Sequence, residues 1–395
     1  MKTPLHTDPK DDTVNTTRAA TRTTRIARRT ALLTVSLTIG GFLGAVPASA
    51  AGTVAASSDT TDGANGRVSA IARVGTRIFI GGSFTMVGGL PRRGLAALDA
   101  ATGAVDPNWS ADVAGEVLSL TASPAGSGIY LGGNFSSVGG LPRANLAAVS
   151  TNTGMVSAWN PGANSAVLAL TAYSNSVLAG GKFTKIGGYY VLRLAMLDAT
   201  SGRPDSRFQP RPDGPVSALQ LSPGKTGVYV GGSFARIAGQ AHANLAAIVL
   251  SNGLATNWYP EASTCPVLGA TMTTGGSRLY VACAGASNSV ASYNTAASGP
   301  RVWRGMADGN VQAVALLGTT LYAGGHFTLM NGAERRKMAA FDYSTGALQP
   351  WAPGLDSPLG VWALCASTNG VWAGGDFTRV NDSPQQHIAF FRQVA

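Results

Sequence analysis

An all-β, seven-bladed β-propeller of four-stranded blades is the fold this sequence predicts, and three observations predict it. A β-rich run closed by Gly-Gly, a variable residue and Phe recurs at Gly81, Gly132, Gly180, Gly231, Gly324 and Gly374. The composition is 12% charged with 51 glycines, which suits tightly turned strands better than helices or a disordered chain. A period of about 50 residues carrying four short β segments is blade spacing, and a closed ring of such units leaves no free edge strand.

Residues 1–50 differ in kind from the rest of the chain. Seven Lys and Arg precede an apolar run from Ala31 to Val46, and Pro47-Ala48-Ser49-Ala50 is an A-x-A-like cleavage site. That is the layout of a signal peptide, with Arg28-Arg29 admitting twin-arginine export. The apolar run is short for a bilayer span, so no stable membrane span is expected after cleavage. Without residues 1–50, which hold seven basic and three acidic side chains, the net charge falls from +10 to about +6. There is no Lys/Arg run, which argues against a nucleic-acid partner.

The remainder, residues 51–395, is expected to be one domain. In the second unit the four segments are Val117 to Thr121, Ile129 to Phe135, Asn145 to Ser150 and a last one from Met155 to Trp159. The β-branched and aromatic run supplies strand propensity, and the Gly pair lets backbone pass where a Cβ would clash. Between Gly231 and Gly324 a fifth unit is degenerate: Leu279-Tyr280-Val281 is followed by Ala282-Cys283, without Gly-Gly-x-Phe. The last unit ends after its third segment, His387 to Phe391. Residues 52–56 are therefore expected to supply the missing fourth strand and close the last blade.

Cys265 and Cys283 flank two apolar runs joined by Thr273-Thr274-Gly275-Gly276-Ser277. Folded as a hairpin, that segment sets the thiols nearly opposite each other, and an exported chain meets an oxidising compartment, so a Cys265–Cys283 disulfide is expected. Cys365 lies in an apolar strand and reads as a small core residue.

The pattern I-Y-x-G-G-x-F, a Gly-Gly loop, L-A-A-x-D-x-x-T-G and W-x-P resembles kelch-type blades. It is closer to the bacterial delta-sixty repeats and to the extracellular propeller of fungal cortical cell-polarity markers. The resemblance covers about residues 66 to 395. It implies a propeller with a secreted or extracellular role and carries no site residues over, since propellers host binding modules and enzymes alike.

The aromatics Trp109, Trp159, Phe208, Trp258, Trp303 and Trp351 occupy one slot per unit, which is the distribution of inter-blade packing and not of a sugar platform. Asp99, Asp198 and Asp342 precede turns and read as turn-capping acceptors. Function is sought where the frame recurs and the residue does not. Between Gly-Gly and Phe stand Ser83, Asn134, Lys182, Ser233, His326 and Asp376, expected to ring the channel mouth. A second variable slot holds Arg92, Arg143, Val191, His242, Arg335 and Gln385, whose arginines suggest a clamp for carboxylate, sulfate or phosphate.

No nucleophile-elbow, zinc-protease, phosphate-loop or EF-hand motif occurs, and only His242, His326 and His387 remain after residue 50. No cofactor and no metal site are expected. The reading is a monomeric binding module for an extracellular or cell-wall ligand, a carbohydrate or polyanion. Its expected contacts are Arg92, Arg143, Asn134, Lys182, His242, His326, Arg335 and Asp376. The alternative is a secreted enzyme acting on a glycan or small metabolite, with His326 and Asp376 as base and partner.

Overall fold

The computed structural model of the chain describes residues 54–260, 265–296, 299–357 and 359–394. The expected signal peptide and residues 51–53 lie outside the described residues. The described part is all-β, with 52% strand and no helix. No helix among the described residues is long and apolar enough to cross a membrane.

The strands form seven principal antiparallel sheets among the described residues. In the first, Val68–Val74 pairs with Arg77–Gly82, which pairs in turn with Leu95–Asp99. The order repeats behind the inner strands Val113–Ala122, Val167–Tyr173, Val216–Leu221, Val267–Met272, Val311–Leu317 and Val361–Ser367. Each inner strand contacts the inner strand of the next sheet, and Val361–Ser367 contacts Val68–Val74.

The second strand of each sheet is buried on both faces, so apolar residues run continuously instead of alternating. Their side chains collect into seven hydrophobic clusters, each lying between two consecutive sheets. Phe79 and Trp109 meet Val117 and Ile129 between the first and second. Trp372 and Phe390 meet Val68 and Ile80 between the seventh and first. The Gly-Gly pair makes these approaches feasible: a Cβ on Gly81 would fall 2.5 Å from Val117 Cγ1, and one on Gly374 falls equally close to Val68 Cγ1.

The repeated aromatics are packing elements. Trp109, Trp159, Phe208 and Trp258 are buried, and the indole N–H of Trp109 donates to the Ser150 carbonyl of the following sheet, as Trp159 does to Asp198. Asp99 Oδ1 accepts from the amides of Ala101 and Thr102, and Asp342 Oδ1 likewise from Ser344 and Thr345, as expected of turn caps.

The expectation of four short strands per unit holds in part. In five units the fourth segment makes a single bridge, for example Leu98 with Val105 and Val149 with Val156. It then turns away so that its aromatic enters the interface with the next sheet. The degenerate fifth unit is the regular one, since Arg301–Met306 is a complete fourth strand on Ser289–Asn294. It accommodates Ala282 by carrying Gly269 opposite, where a Cβ would lie 2.9 Å from the Gln312 carbonyl of the next sheet.

The closing segment is present from Val54 onward. Val54 bridges Gln393 and Asp59 bridges Phe390, the amides of Ala55 and Asp59 donating to the carbonyls of Arg392 and Phe390. Trp351 donates its indole N–H to Ala55, the role the other tryptophans play toward a following sheet. Cys265 and Cys283 are joined by a disulfide, with sulfurs 2.19 Å apart.

Candidate functional site

All seven inner strands share one irregularity. The register shifts between Val68 and Ala70, Val117 and Ser119, Val167 and Ala169, Val216 and Ala218, Val267 and Gly269, Val311 and Ala313, and Val361 and Ala363. A β-bulge leaves one residue unpaired and re-aims its side chain. The residues so released are Ser69, Leu118, Leu168, Ser217, Leu268, Gln312 and Trp362. Each bulge lies opposite the end of the second strand, so in every unit but the fifth it sits beside the variable residue preceding Phe. Glu116, one position before its bulge valine, pairs in register with Asn134.

Four consecutive sheets are stitched together here by one polar network. Gln312 Nε2 lies 3.3 Å from His326 Nε2 in the sixth sheet. The His326 ring meets the Trp362 indole of the seventh sheet edge to face at 5.0 Å. Trp362 Nε1 donates to Asp376 Oδ2 at 2.9 Å. Arg67, at the head of the first sheet, lies 4.8 Å from the centre of the Trp362 ring and has Nη1 3.9 Å from Asp376 Oδ2. Its Nη2 and Nε donate to Glu116 Oε1 of the second sheet at 2.7 and 3.2 Å, and the Ser69 hydroxyl donates to the same oxygen at 3.0 Å. About a quarter of the Arg67, Glu116 and Asp376 side-chain surfaces remains exposed, so the network is open to solvent.

Burial pushes the His326 imidazole below the ordinary histidine range; Lys337, whose Nζ donates to the His326 carbonyl at 3.1 Å, and Arg67 push the same way against Asp376. These influences favour the neutral form of the ring. Its Nε2 lies beside the Gln312 amide, while Asp376 Oδ2 accepts from the Trp362 indole. Among the described residues no hydrogen bond joins His326 to Asp376.

The other expected contacts divide in two. Ser83, Asn134, Lys182 and Ser233 are exposed at positions equivalent to His326 and Asp376. The second slot is corrected as an anion clamp. Arg92 is 7% exposed, and its guanidinium donates to the carbonyls of Pro91, Asp106 and Pro107. Arg143 is 9% exposed and donates to Pro142 and Ser157. Arg335 repeats the motif on Glu334 and Gln349. These arginines tie the Gly-Gly loop to the aromatic segment of their own unit, because backbone turning out of the sheet leaves carbonyls that need donors. His242, in the same slot, is buried against Tyr259 with its Nδ1 unpartnered.

Sequence reasoning missed Arg67, Ser69, Glu116, Gln312 and Trp362. The signal was available: residues on either side of the recurrent inner-strand valine vary as freely as the residue before Phe.

No family model and no curated protein matches the sequence. Among solved structures, the chain is similar to that of the computationally designed Ika8 protein, with a TM-score of 0.54 and 14% identity over 84% of this chain and 98% of that one. At that identity the likeness concerns the fold alone.

Proposed function

We propose that the seven sheets are the blades of a closed, kelch-like propeller, exported after removal of residues 1–50, that binds a neutral polyhydroxylated ligand, an extracellular or cell-wall glycan. The ring is supported by a hydrophobic cluster at each sheet interface, by Gly374 packing on Val68 as Gly81 packs on Val117, and by the closing segment on the last strand. A disulfide suits an oxidising compartment.

The network from Gln312 to Glu116 carries the functional reading. Trp362 and Arg67 both meet Oδ2 of Asp376, while Ser69 and Arg67 both meet Oε1 of Glu116, so the second oxygen of each carboxylate can accept from a hydroxyl. Gln312 and His326 supply amide and imidazole groups alongside. Two carboxylates around one guanidinium disfavour an anion, and the arginines that would have drawn one are held on backbone carbonyls. Alternating donors and acceptors beside apolar surface suit sugar hydroxyls.

The test is isothermal titration of the chain from residue 51 with chitohexaose, cellohexaose, laminarihexaose, xylohexaose and mannohexaose, and with heparin at 150 mM salt. Binding of at least one neutral oligosaccharide is expected, weakened about 10-fold or more by Glu116→Gln or Asp376→Asn, since hydrogen bonds to charged groups contribute about 1.5–3 kcal/mol. Arg92→Gln and Arg143→Gln should leave the affinity of the folded protein unchanged. Heparin binding that survives both mouth substitutions, with no neutral oligosaccharide bound, would overturn the reading.

A further inference from the structure

The Trp362 indole meets two basic side chains that differ in kind. Arg67 is one of them, 4.8 Å from the ring centre. His326 is the other, with ring centroids 5.0 Å apart, and histidine is the side chain whose ordinary charge change lies nearest physiological pH. The groups facing the imidazole come from three sheets: Gln312 and Lys337 from its own, Asp376 and Trp362 from the seventh, Arg67 from the first.

We propose that His326 is a proton-operated switch for the mouth: protonating it breaks the Gln312–His326–Trp362 contact, reorganises the Asp376–Arg67 pairing and releases the ligand bound there. Only the ligand-release part rests on the glycan reading.

The switch works in two steps. With the Gln312 amide nitrogen 3.3 Å from Nε2, the neutral imidazole accepts the bond there and holds its proton on Nδ1. An added proton converts Nε2 into a donor facing a donor, so the amide must turn over or the ring must leave. The new charge is also opposed by two cations, Lys337 and Arg67. Asp376 is the one opposite charge among these groups. Its Oδ2 already accepts from Trp362 at 2.9 Å and lies 3.9 Å from Arg67. An imidazolium drawn to Asp376 competes with both, and loosening Arg67 frees it to shift on Glu116. Protonation at one residue therefore spreads over the same four sheets that make the site. The half-buried setting of His326 moves the protonation of the switch below the ordinary histidine range.

The experiment is a ¹⁹F NMR titration of the full chain from residue 51, labelled with 5-fluorotryptophan, from pH 7.5 to 5.0. The Trp362 resonance is identified by its loss in Trp362→Phe. It should shift with a midpoint below 6.5, stay fixed in His326→Gln, and shift at higher pH in Gln312→Glu, where a carboxylate favours the imidazolium. In parallel, the affinity of whichever neutral hexasaccharide binds should fall about 10-fold between pH 7.5 and 5.0, and not in His326→Gln. A Trp362 resonance that stays fixed to pH 5.0, or shifts equally in His326→Gln, overturns the switch. A His326-dependent shift with no oligosaccharide bound at either pH retains the switch and removes the glycan reading.

Discussion

Replacing Gly374 by Ala tests whether the first and seventh sheets share an interface like the others. The added Cβ would stand 2.5 Å from Val68 Cγ1 and 3.2 Å from Ile71 Cδ1, inside a cluster whose members are almost wholly buried. A close-packed interior cannot absorb a methyl group without displacement, and such overpacking costs about 1–3 kcal/mol. Val68→Ala removes two methyl groups from a residue that is 0% exposed, at a cost of about 1.5–3 kcal/mol from lost burial and cavity. If Gly374 and Val68 touch, the two changes compensate in the double variant, because the new methyl group fills space that the smaller side chain vacates. The double variant should then be more stable than the sum of the single effects predicts by about 1–2 kcal/mol, as contacting residues couple in mutant cycles. Gly275→Ala, with no heavy atom within 4 Å of the added Cβ, is the control and should change stability by less than about 0.5 kcal/mol. Urea unfolding followed by tryptophan emission measures all four proteins. Effects that add to within about 0.5 kcal/mol would place Val68 and Gly374 apart and refute closure of the first sheet on the last.

A chain begun at Asp59 should be about 2 kcal/mol less stable than one begun at Ala51. It loses the burial of Val54 and leaves the Trp351 indole without its Ala55 acceptor, effects only partly offset by the freed backbone; equal melting temperatures would contradict this. Burial holds the pKa of His242 below the ordinary histidine value, so its neutral form supports the fold above about pH 6.5 and that contribution is lost as the pH falls through the lowered folded value. His242→Arg should flatten this acid limb. It should also add about 1 kcal/mol at pH 7 if the guanidinium finds the loop carbonyls that Arg92 and Arg143 find. Chemical denaturation at pH 5, 6 and 7.5 reads both effects, and an unchanged acid limb would show that His242 does not cause it.

The sequence alone determined that the described part of the chain is all-β, where each second strand lies, that the tryptophans pack and that Cys265 meets Cys283. These are legible because they are local or periodic: a strand pattern, a glycine where two backbones converge and a hairpin placing two thiols opposite each other are written in neighbouring residues and repeat. It also marked the residues after Gly-Gly as variable, and two of them, His326 and Asp376, lie in one polar network. The tertiary structure decided the rest. Arg92 and Arg143 looked like free cations because a sequence does not show which carbonyls a turning backbone leaves without donors; folding supplied those carbonyls and buried the guanidinium groups. Arg67, Glu116 and Trp362 are distant in the chain and share no motif. Trp362 is released by the bulge of its inner strand, while Arg67 and Glu116 stand one position before the bulge valines of theirs, and they meet because the sheets bring that one level together. The partners of a side chain at such a junction come from other repeats, so its chemistry is set only when the sheets pack.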